Sequence, residues 1–423
     1  MTLACVFDRP RAGSPSSQNR GACWALPLWL LSTSFSPAVP ADLQAFTQGG
    51  CLIAFICVGL RYGGWRFLIG PCFRESVILA TLSLLYFLAA SASALNSVDP
   101  GWSFAMTIAL SLGYYACGGV WEICGPYMSL CLRRFAVFGT TINLLIYALT
   151  SQAGERFGGI LHPNNWGLIC FGQALCSLLI RRVWLRWTVL AANLFIIMQA
   201  QSRAALLALA IALSLYYVRY LQTALRRGRV RSLLSVITLS VALAAVIYQL
   251  DEFSTFGKVL LALNDSDRGV NSGFSGRTDL WAKGIDLIAQ NPLLGIGTRM
   301  QDRYYQDATT GVKSVHNGYL GLLIENGVLG AFCLFPIIII GIWRLFRAAR
   351  DRQTVPYIGS LLLIGYLFIA CFEPRLLNVG NPTSVLVILV ILDPSHGQIV
   401  PRLRPVRYSQ HRLIPELRLR QAS

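Results

Sequence analysis

Ser76-Val-Ile-Leu-Ala-Thr-Leu-Ser-Leu-Leu-Tyr-Phe-Leu-Ala-Ala-Ser-Ala-Ser-Ala-Leu95 runs for twenty residues without a charge. At about 1.5 Å per residue, a helix of that length spans roughly the 30 Å of a bilayer's hydrocarbon core. Just before it stand Arg66 and Arg74, and similar apolar runs recur along the chain at 22–39, 43–60, 102–120, 135–150, 166–180, 184–200, 204–218, 232–250, 318–343, 356–372 and 382–393. Of the 423 residues 55% are hydrophobic and only 13% charged, against about 25% charged in a soluble domain. The expected fold class is therefore an all-α polytopic membrane protein with about twelve transmembrane helices.

The net charge is +17. The basic residues are spread over many short loops, which argues against nucleic acid and for the excess of Lys and Arg that marks cytoplasmic loops. With the N-terminus in the cytoplasm, alternate loops carry Arg61, Arg66 and Arg74; Arg133 and Arg134; Arg181, Arg182 and Arg186; Arg219 to Arg231; and Arg344 to Arg352. With Arg9, Arg11, Arg20 and six arginines after residue 400, these account for 26 of the 36 basic residues. The N-terminal segment has no A-x-A cleavage site after its first apolar run, so it reads as a cytoplasmic tail and a retained helix.

The twelve cysteines form no C-x-x-C pair, and none falls in the longest polar loop, which excludes a disulfide framework or zinc site there. Cys117, Cys124 and Cys131 repeat every seven residues, as small apolar residues near a helix end do. The organisation expected is 1–250 for nine spanning helices, 251–317 for one large periplasmic loop, 318–393 for three more helices and 394–423 for a basic cytoplasmic tail. Long polar loops in a protein of short connections are usually functional. Within this one, Trp281, Ile285 and Ile288 recur at helical spacing, which predicts a helix over Arg277–Gln290, stopped by Pro292 and lying along the membrane surface.

Four stretches on the expected periplasmic face carry chemistry-bearing side chains. They are Arg156-Phe-Gly-Gly-Ile-Leu-His162-Pro-Asn164-Asn165; Gln201-Ser202-Arg203; Ser275-Gly-Arg277-Thr-Asp279-Leu-Trp281 with Asn291-Pro-Leu-Leu-Gly-Ile-Gly297; and Val315-His316-Asn317-Gly-Tyr-Leu320 with Glu325-Asn-Gly-Val-Leu-Gly330. Together they resemble the O-antigen ligase-like superfamily over about 156–345, most specifically through the Gly-Arg-x-x-x-Trp and His-Asn-x-x-Leu motifs. The resemblance implies a helical membrane glycosyltransferase fold (GT-C-like) at the bacterial inner membrane. It also implies transfer of a glycan from undecaprenyl diphosphate to an acceptor hydroxyl, without metal or cofactor. The acceptor is lipid A-core in a ligase, or a second lipid-linked glycan in an O-antigen or exopolysaccharide polymerase.

The residue types suit that chemistry independently. A diphosphate leaving group gathers charge as it departs, and the planar guanidinium fork of arginine pairs two oxygens at once. Arg203 opens a spanning helix, where unpaired N–H groups and the positive dipole end also favour an anion; its plain alternative is snorkelling at the interface. Arg277 opens the predicted surface helix, where it opposes the dipole, and its partner is either diphosphate or a carboxylate such as Asp279. Arg156 is a weaker candidate because Glu155 adjoins it. His316 is the candidate general base, or a residue that only orients the acceptor, since imidazole works near neutral pH. His162 is the rival, with Asn164, Asn317 and Glu325 in supporting places.

Glu325 lies inside an expected span, where ionisable residues attract suspicion. Nine helical residues at about 100° each put positions 316 and 325 on opposite faces, so the two can cooperate only if His316 sits outside the helix. Glu373 and Arg375 sit at the periplasmic end of the eleventh span and are expected to pair. The rival function is a transporter or flippase. Its coupling charges belong near the bilayer midplane, whereas here the spans hold mainly Asn143, Gln173 and Asn193 and the charges collect at one face. Ligase is preferred to polymerase because a single substantial loop directly precedes the His-Asn helix.

Overall fold

The computed structural model describes residues 17–35, 38–151, 157–226, 273–305, 314–350, 354–374 and 376–394. The expected span 232–250, the loop stretches 251–272 and 306–313, Arg156, Arg375 and the basic tail from 395 lie outside them. The described residues are helical and contain no strand. In order the helices are α1 (Ser17–Phe35), α2 (Ala41–Gly63), α3 (Trp65–Glu75), α4 (Val77–Leu95), α5 (Pro100–Cys124), α6 (Met128–Thr150), α7 (Pro163–Ser177), α8 (Val183–Gln199), α9 (Arg203–Arg226), α10 (Gly273–Gln290), α11 (Gln301–Tyr304), α12 (Gly318–Arg350), α13 (Thr354–Ile369) and α14 (Pro382–Ile391).

Among the described residues five stretches are long and apolar enough to cross a membrane: Phe46–Gly63, Val77–Leu95, Pro100–Thr150 (which holds α5 and α6), Arg203–Thr223 and Gly318–Ala348. Cys23–Phe35, Val183–Gln199, Thr354–Ile369 and Pro382–Ile391 are apolar but shorter. The described residues are thus those of a helical, multi-span membrane protein, as the composition requires.

Caps explain where several helices start. The Ser76 hydroxyl accepts from the Leu79 N–H at 3.3 Å to open α4, and Asp99 accepts from the Trp102 N–H at 3.2 Å ahead of Pro100 to open α5. These short polar side chains satisfy N–H groups that a helix start leaves unpaired.

Helix α3 was not expected. Residues 65–75 read as part of a basic loop, but they form the 11-residue α3, broken at Gly70, where φ is +53°. It is too short to register as a span. It is held against α5 because Gly118 and Gly119 let the Phe67 backbone and the Phe73 ring come close, the small-residue packing that helices use when lipid offers no hydrophobic gain. Arg74 closes the contact by pairing with Glu122 of α5.

The centre of the bundle is α7, whose residues from Trp166 to Ser177 are all buried. Within this buried stretch Gln173 accepts from the Asn143 amide of α6 at 2.8 Å. The Asn193 amide of α8 donates to Thr140 of α6 at 2.7 Å. The neutral polar residues that stood out in the spans are therefore interhelical ties. The α14 hydroxyl of Thr383 adds another, donating to the Leu168 carbonyl of α7 at 2.6 Å.

The starts of α7, α9, α12 and α14 meet the ends of α8 and α13 at one end of the bundle. The Phe157 N–H donates to the Gln199 carbonyl at 3.0 Å, and the Gly318 N–H to the Ala370 carbonyl at 2.7 Å. Helix direction sends Arg74, Arg133, Arg134, Arg181 and Arg182 to the other end.

Candidate functional site

α12 begins with Asn317, whose side-chain oxygen accepts from the N–H groups of Tyr319 and Leu320, both at 3.0 Å. Asn317 is a helix cap, which accounts for its place in the His-Asn pair. His316 therefore stands outside the helix, on a backbone with φ +48°. The condition for cooperation with Glu325 is met, though through an intermediary. Glu325 is buried, and its carboxylate accepts from the Gln301 amide at 2.8 Å. The other end of Gln301 accepts from the Val315 N–H at 3.3 Å, one residue before His316.

The residues between Glu325 and Gly330 form a break rather than a plain turn of helix. At Gly327 φ is +60° and ψ −168°, and the chain at 292–297 lies alongside. The N–H groups of Val328 and Leu329 donate to the carbonyls of Pro292 and Leu293, at 2.9 and 3.1 Å. In return Ile296 and Gly297 donate to the carbonyls of Ile324 and Glu325, at 2.9 and 3.0 Å. The groups freed by the broken helix are thus satisfied by a neighbouring strand of backbone. A Cβ on Gly295 would stand 2.6 Å from the Ile324 carbonyl, and one on Gly327 would strike that of Leu293. The Asn-Pro-Leu-Leu-Gly-Ile-Gly and Glu-Asn-Gly-Val-Leu-Gly motifs are the two halves of this joint.

α10 covers the predicted Arg277–Gln290, starting four residues earlier at Gly273. The face it uses differs from the one expected. Leu287 is buried, and Leu280, Trp281 and Ile288 pack with it against Ile296, Met300, Tyr305, Val315 and Ile324, while Ile285 is exposed. The Trp281 indole N–H donates to the Val315 carbonyl at 3.1 Å. The helix is thereby clamped to the segment that carries His316, and the Trp of the Gly-Arg-x-x-x-Trp motif makes the clamp.

This clamp places Arg277 beside His316. Burial is the main cause that pulls the His316 imidazole down from 6.5 to about 4, followed by the charges of Arg277 and His162. The His316 Nδ1 is buried without a hydrogen-bond partner among the described residues. Burial also lowers the Arg277 pKa, opposed by the carboxylate of Glu373. Burial pushes Glu373 up from 4.5 to about 7, with Arg277 pulling it back. Arg277 also lies over the Phe372 ring, 5.9 Å from its centre. The carboxylate whose charge acts on Arg277 is therefore Glu373. The expected partner of Glu373, Arg375, lies outside the described residues, as does Arg156.

His162 caps α7: its Nδ1 accepts from the Asn164 N–H at 3.3 Å. It is thus tied to the backbone and still close enough to depress His316. Asn164 contributes that backbone N–H to the cap. Arg203 is the first residue of α9 and partly buried. The chain reaches it through Gln201, at φ +48°, and Ser202, whose hydroxyl occupies the space a side chain on Gly167 would take. The starts of α7 and α9 are thereby packed together. Sequence reasoning missed Gln301 and the role of Glu373, since one polar residue in a polar loop carries no periodic signal.

Residues 188–335 match the O-Antigen ligase family. A stretch of 114 residues is 25% identical to the "Exopolysaccharide production protein ExoQ" of Rhizobium meliloti (strain 1021), covering 23% of this chain. The match spans only 26% of that relative's length. The matched region contains Arg203, Arg277, His316 and both halves of the 292–297 and 324–329 joint, and these matches support the resemblance to the O-antigen ligase-like superfamily.

Proposed function

We propose that the chain is an inner-membrane glycosyltransferase that moves a glycan from undecaprenyl diphosphate to an acceptor hydroxyl on the periplasmic face. The observation that carries this reading is the buried His316 Nδ1, without a hydrogen-bond partner among the described residues and within reach of the Arg277 and His162 charges, at the end where the starts of α7, α9 and α12 gather. Helix starts and guanidinium groups favour an anion, and an uncharged imidazole nitrogen can accept a proton. Arg203 and Arg277 hold the diphosphate, with Arg156 a further candidate. Nδ1 of His316 takes the hydroxyl proton as the acceptor oxygen bonds to the anomeric carbon. The bond from that carbon to the diphosphate oxygen breaks, and its electron pair leaves on the diphosphate.

Asn317 fixes the start of α12 beside His316, His162 and Asn164 fix the start of α7, and Glu325 braces the His316 segment through Gln301. When diphosphate binds Arg277 it offsets the charge that depresses His316, so the imidazole becomes a better base once donor is present. Both termini are placed in the cytoplasm by the sorting of arginines.

The acceptor is lipid A-core in the ligase reading, which the single large loop before the His-Asn helix favours. The match to an exopolysaccharide production protein supports the second reading, a polymerase that adds to another lipid-linked glycan. The test is to incubate purified protein with undecaprenyl-diphosphate glycan and either lipid A-core or excess donor, then separate products by size. Discrete transfer to lipid A-core supports ligase, and a ladder on the donor lipid supports polymerase. Near-normal activity in both Arg203→Ala and Arg277→Ala would remove the diphosphate clamp.

A further inference from the structure

A second opening lies near the His316 constellation, lined by none of Arg203, Arg277, His162 or His316. It is an open cleft between α2, α4, α5, the turn at 298–299, α12 and the 374–380 loop. Its lining has an apolar part that includes Met106, Ala109, Leu110 and Leu322, and a polar part made of Gln48, Thr298, Arg299, Glu325, Asn326 and Asn378.

The polar part is built, not incidental. Arg299 is held at φ +63°, a region that costs a side-chain-bearing residue free energy unless its surroundings enforce it. Its guanidinium donates to the Asn378 side-chain oxygen at 3.1 Å, and the Gly380 N–H donates to the same oxygen at 3.0 Å. What Asn378 offers a ligand is therefore its amide N–H groups. Thr107 donates to the Thr298 hydroxyl at 2.9 Å, and Thr298 donates to the Asn326 side-chain oxygen at 3.3 Å, so Asn326 too presents N–H groups. The one carboxylate, Glu325, already accepts from Gln301.

A ligand suited to these walls has an apolar face and an edge of oxygen acceptors, which describes a sugar ring better than a lipid chain or a diphosphate. We propose that this cleft is the sugar-binding subsite of the acceptor. The proposal rests on the transferase reading above. It gains from connectivity: Glu325 lines the cleft, and two hydrogen bonds, through Gln301 to the Val315 N–H, link it to the backbone of His316. A glycan seated here is connected through Glu325 and Gln301 to the segment that carries the proposed base.

The test fills the cleft from its apolar part, with Ala109→Trp and, at a second position, Met106→Trp, in the detergent-solubilised full chain. Two probes are titrated by saturation-transfer NMR: delipidated core oligosaccharide and the free repeat-unit glycan. Undecaprenyl diphosphate binding is measured in parallel as the check on folding and on the donor side. The expected result is ring-proton signal from at least one glycan with the unaltered chain, weakened roughly tenfold or more in both variants, with lipid diphosphate binding unchanged. The proposal is overturned if neither glycan binds, if binding persists in the variants, or if lipid diphosphate binding falls in step. Cleft-dependent glycan binding by a chain that makes no product keeps the cleft and removes the transferase. Product formation with an unchanged acceptor KM in both variants does the reverse.

Discussion

His316 carries its imidazole on a left-handed backbone, φ +48°, and that fact shapes how its role is to be tested. Alanine there would remove the ring and also strain the chain by about 1 kcal/mol, whereas asparagine tolerates that conformation. His316→Asn is therefore the cleaner variant: transfer is expected to fall by roughly a hundredfold or more with thermal stability nearly unchanged. An equal loss of activity and of folded protein would make the residue structural.

The pH dependence follows from the same side chain. His316 is held at about 4 against 6.5, so the unfolded chain binds the extra proton between those values and stability is lost as pH falls through that window. Glu373, raised from 4.5 to about 7, acts oppositely, its contribution being lost as pH rises toward 7. In kinetics, the His316 acid limb of kcat/KM is expected near pH 4, and that of kcat at higher pH, because bound diphosphate offsets Arg277. Coincident limbs would contradict the proposed coupling.

At this scale the sequence disclosed the residue types and missed their partners. His316, Arg277 and Glu325 stood out by chemistry alone. That Asn317 is a cap, that Glu373 faces Arg277 and that Gln301 connects Glu325 to Val315 depends on contacts between distant segments, which leave no local pattern.

The joint between 292–297 and the broken α12 is the element on which the site's geometry depends. It exchanges four backbone hydrogen bonds across a helix interruption, and neither Gly295 nor Gly327 has room for a side chain. Gly327→Ala is expected to cost several kcal/mol, about 2 or more from backbone conformation and clash combined, and to reduce the yield of folded protein in detergent. The same substitution at Gly101, where a Cβ meets nothing, is expected to be tolerated. Equal yields of the two variants would mean that the joint is not under such constraint.

Element identities were largely legible because spans are long, apolar and bounded by polar residues or proline. α10 was placed from the spacing of Trp281, Ile285 and Ile288, yet Ile285 is exposed and Leu287 buried, since the helix packs on protein that the sequence alone did not put there. α3 was missed because 11 residues with an internal Gly-Pro look like a loop.

Across the whole molecule, charge and helix direction agree. The helix ends that gather Arg203, His162 and His316 lie opposite those bearing Arg74, Arg133, Arg134, Arg181 and Arg182. If the second set is cytoplasmic, a reporter active only in the periplasm, fused after Thr150, is expected to be active, and one fused after Ile180 silent. The reverse pattern would invert the membrane orientation and place the site on the wrong side for a periplasmic glycan. This much was readable from the sorting of arginines; the convergence of helix starts was not, because it depends on which helices neighbour which.

The central claim, that this end of the bundle breaks a sugar–diphosphate bond, is tested most directly by measuring undecaprenyl diphosphate released from a defined lipid-linked glycan by the purified chain in the presence of acceptor. Release matching each glycan joined, and lost in Arg203→Ala and His316→Asn while both variants remain folded, is the result expected. Glycan joined without release of the lipid diphosphate, or release that persists in both variants, would contradict it.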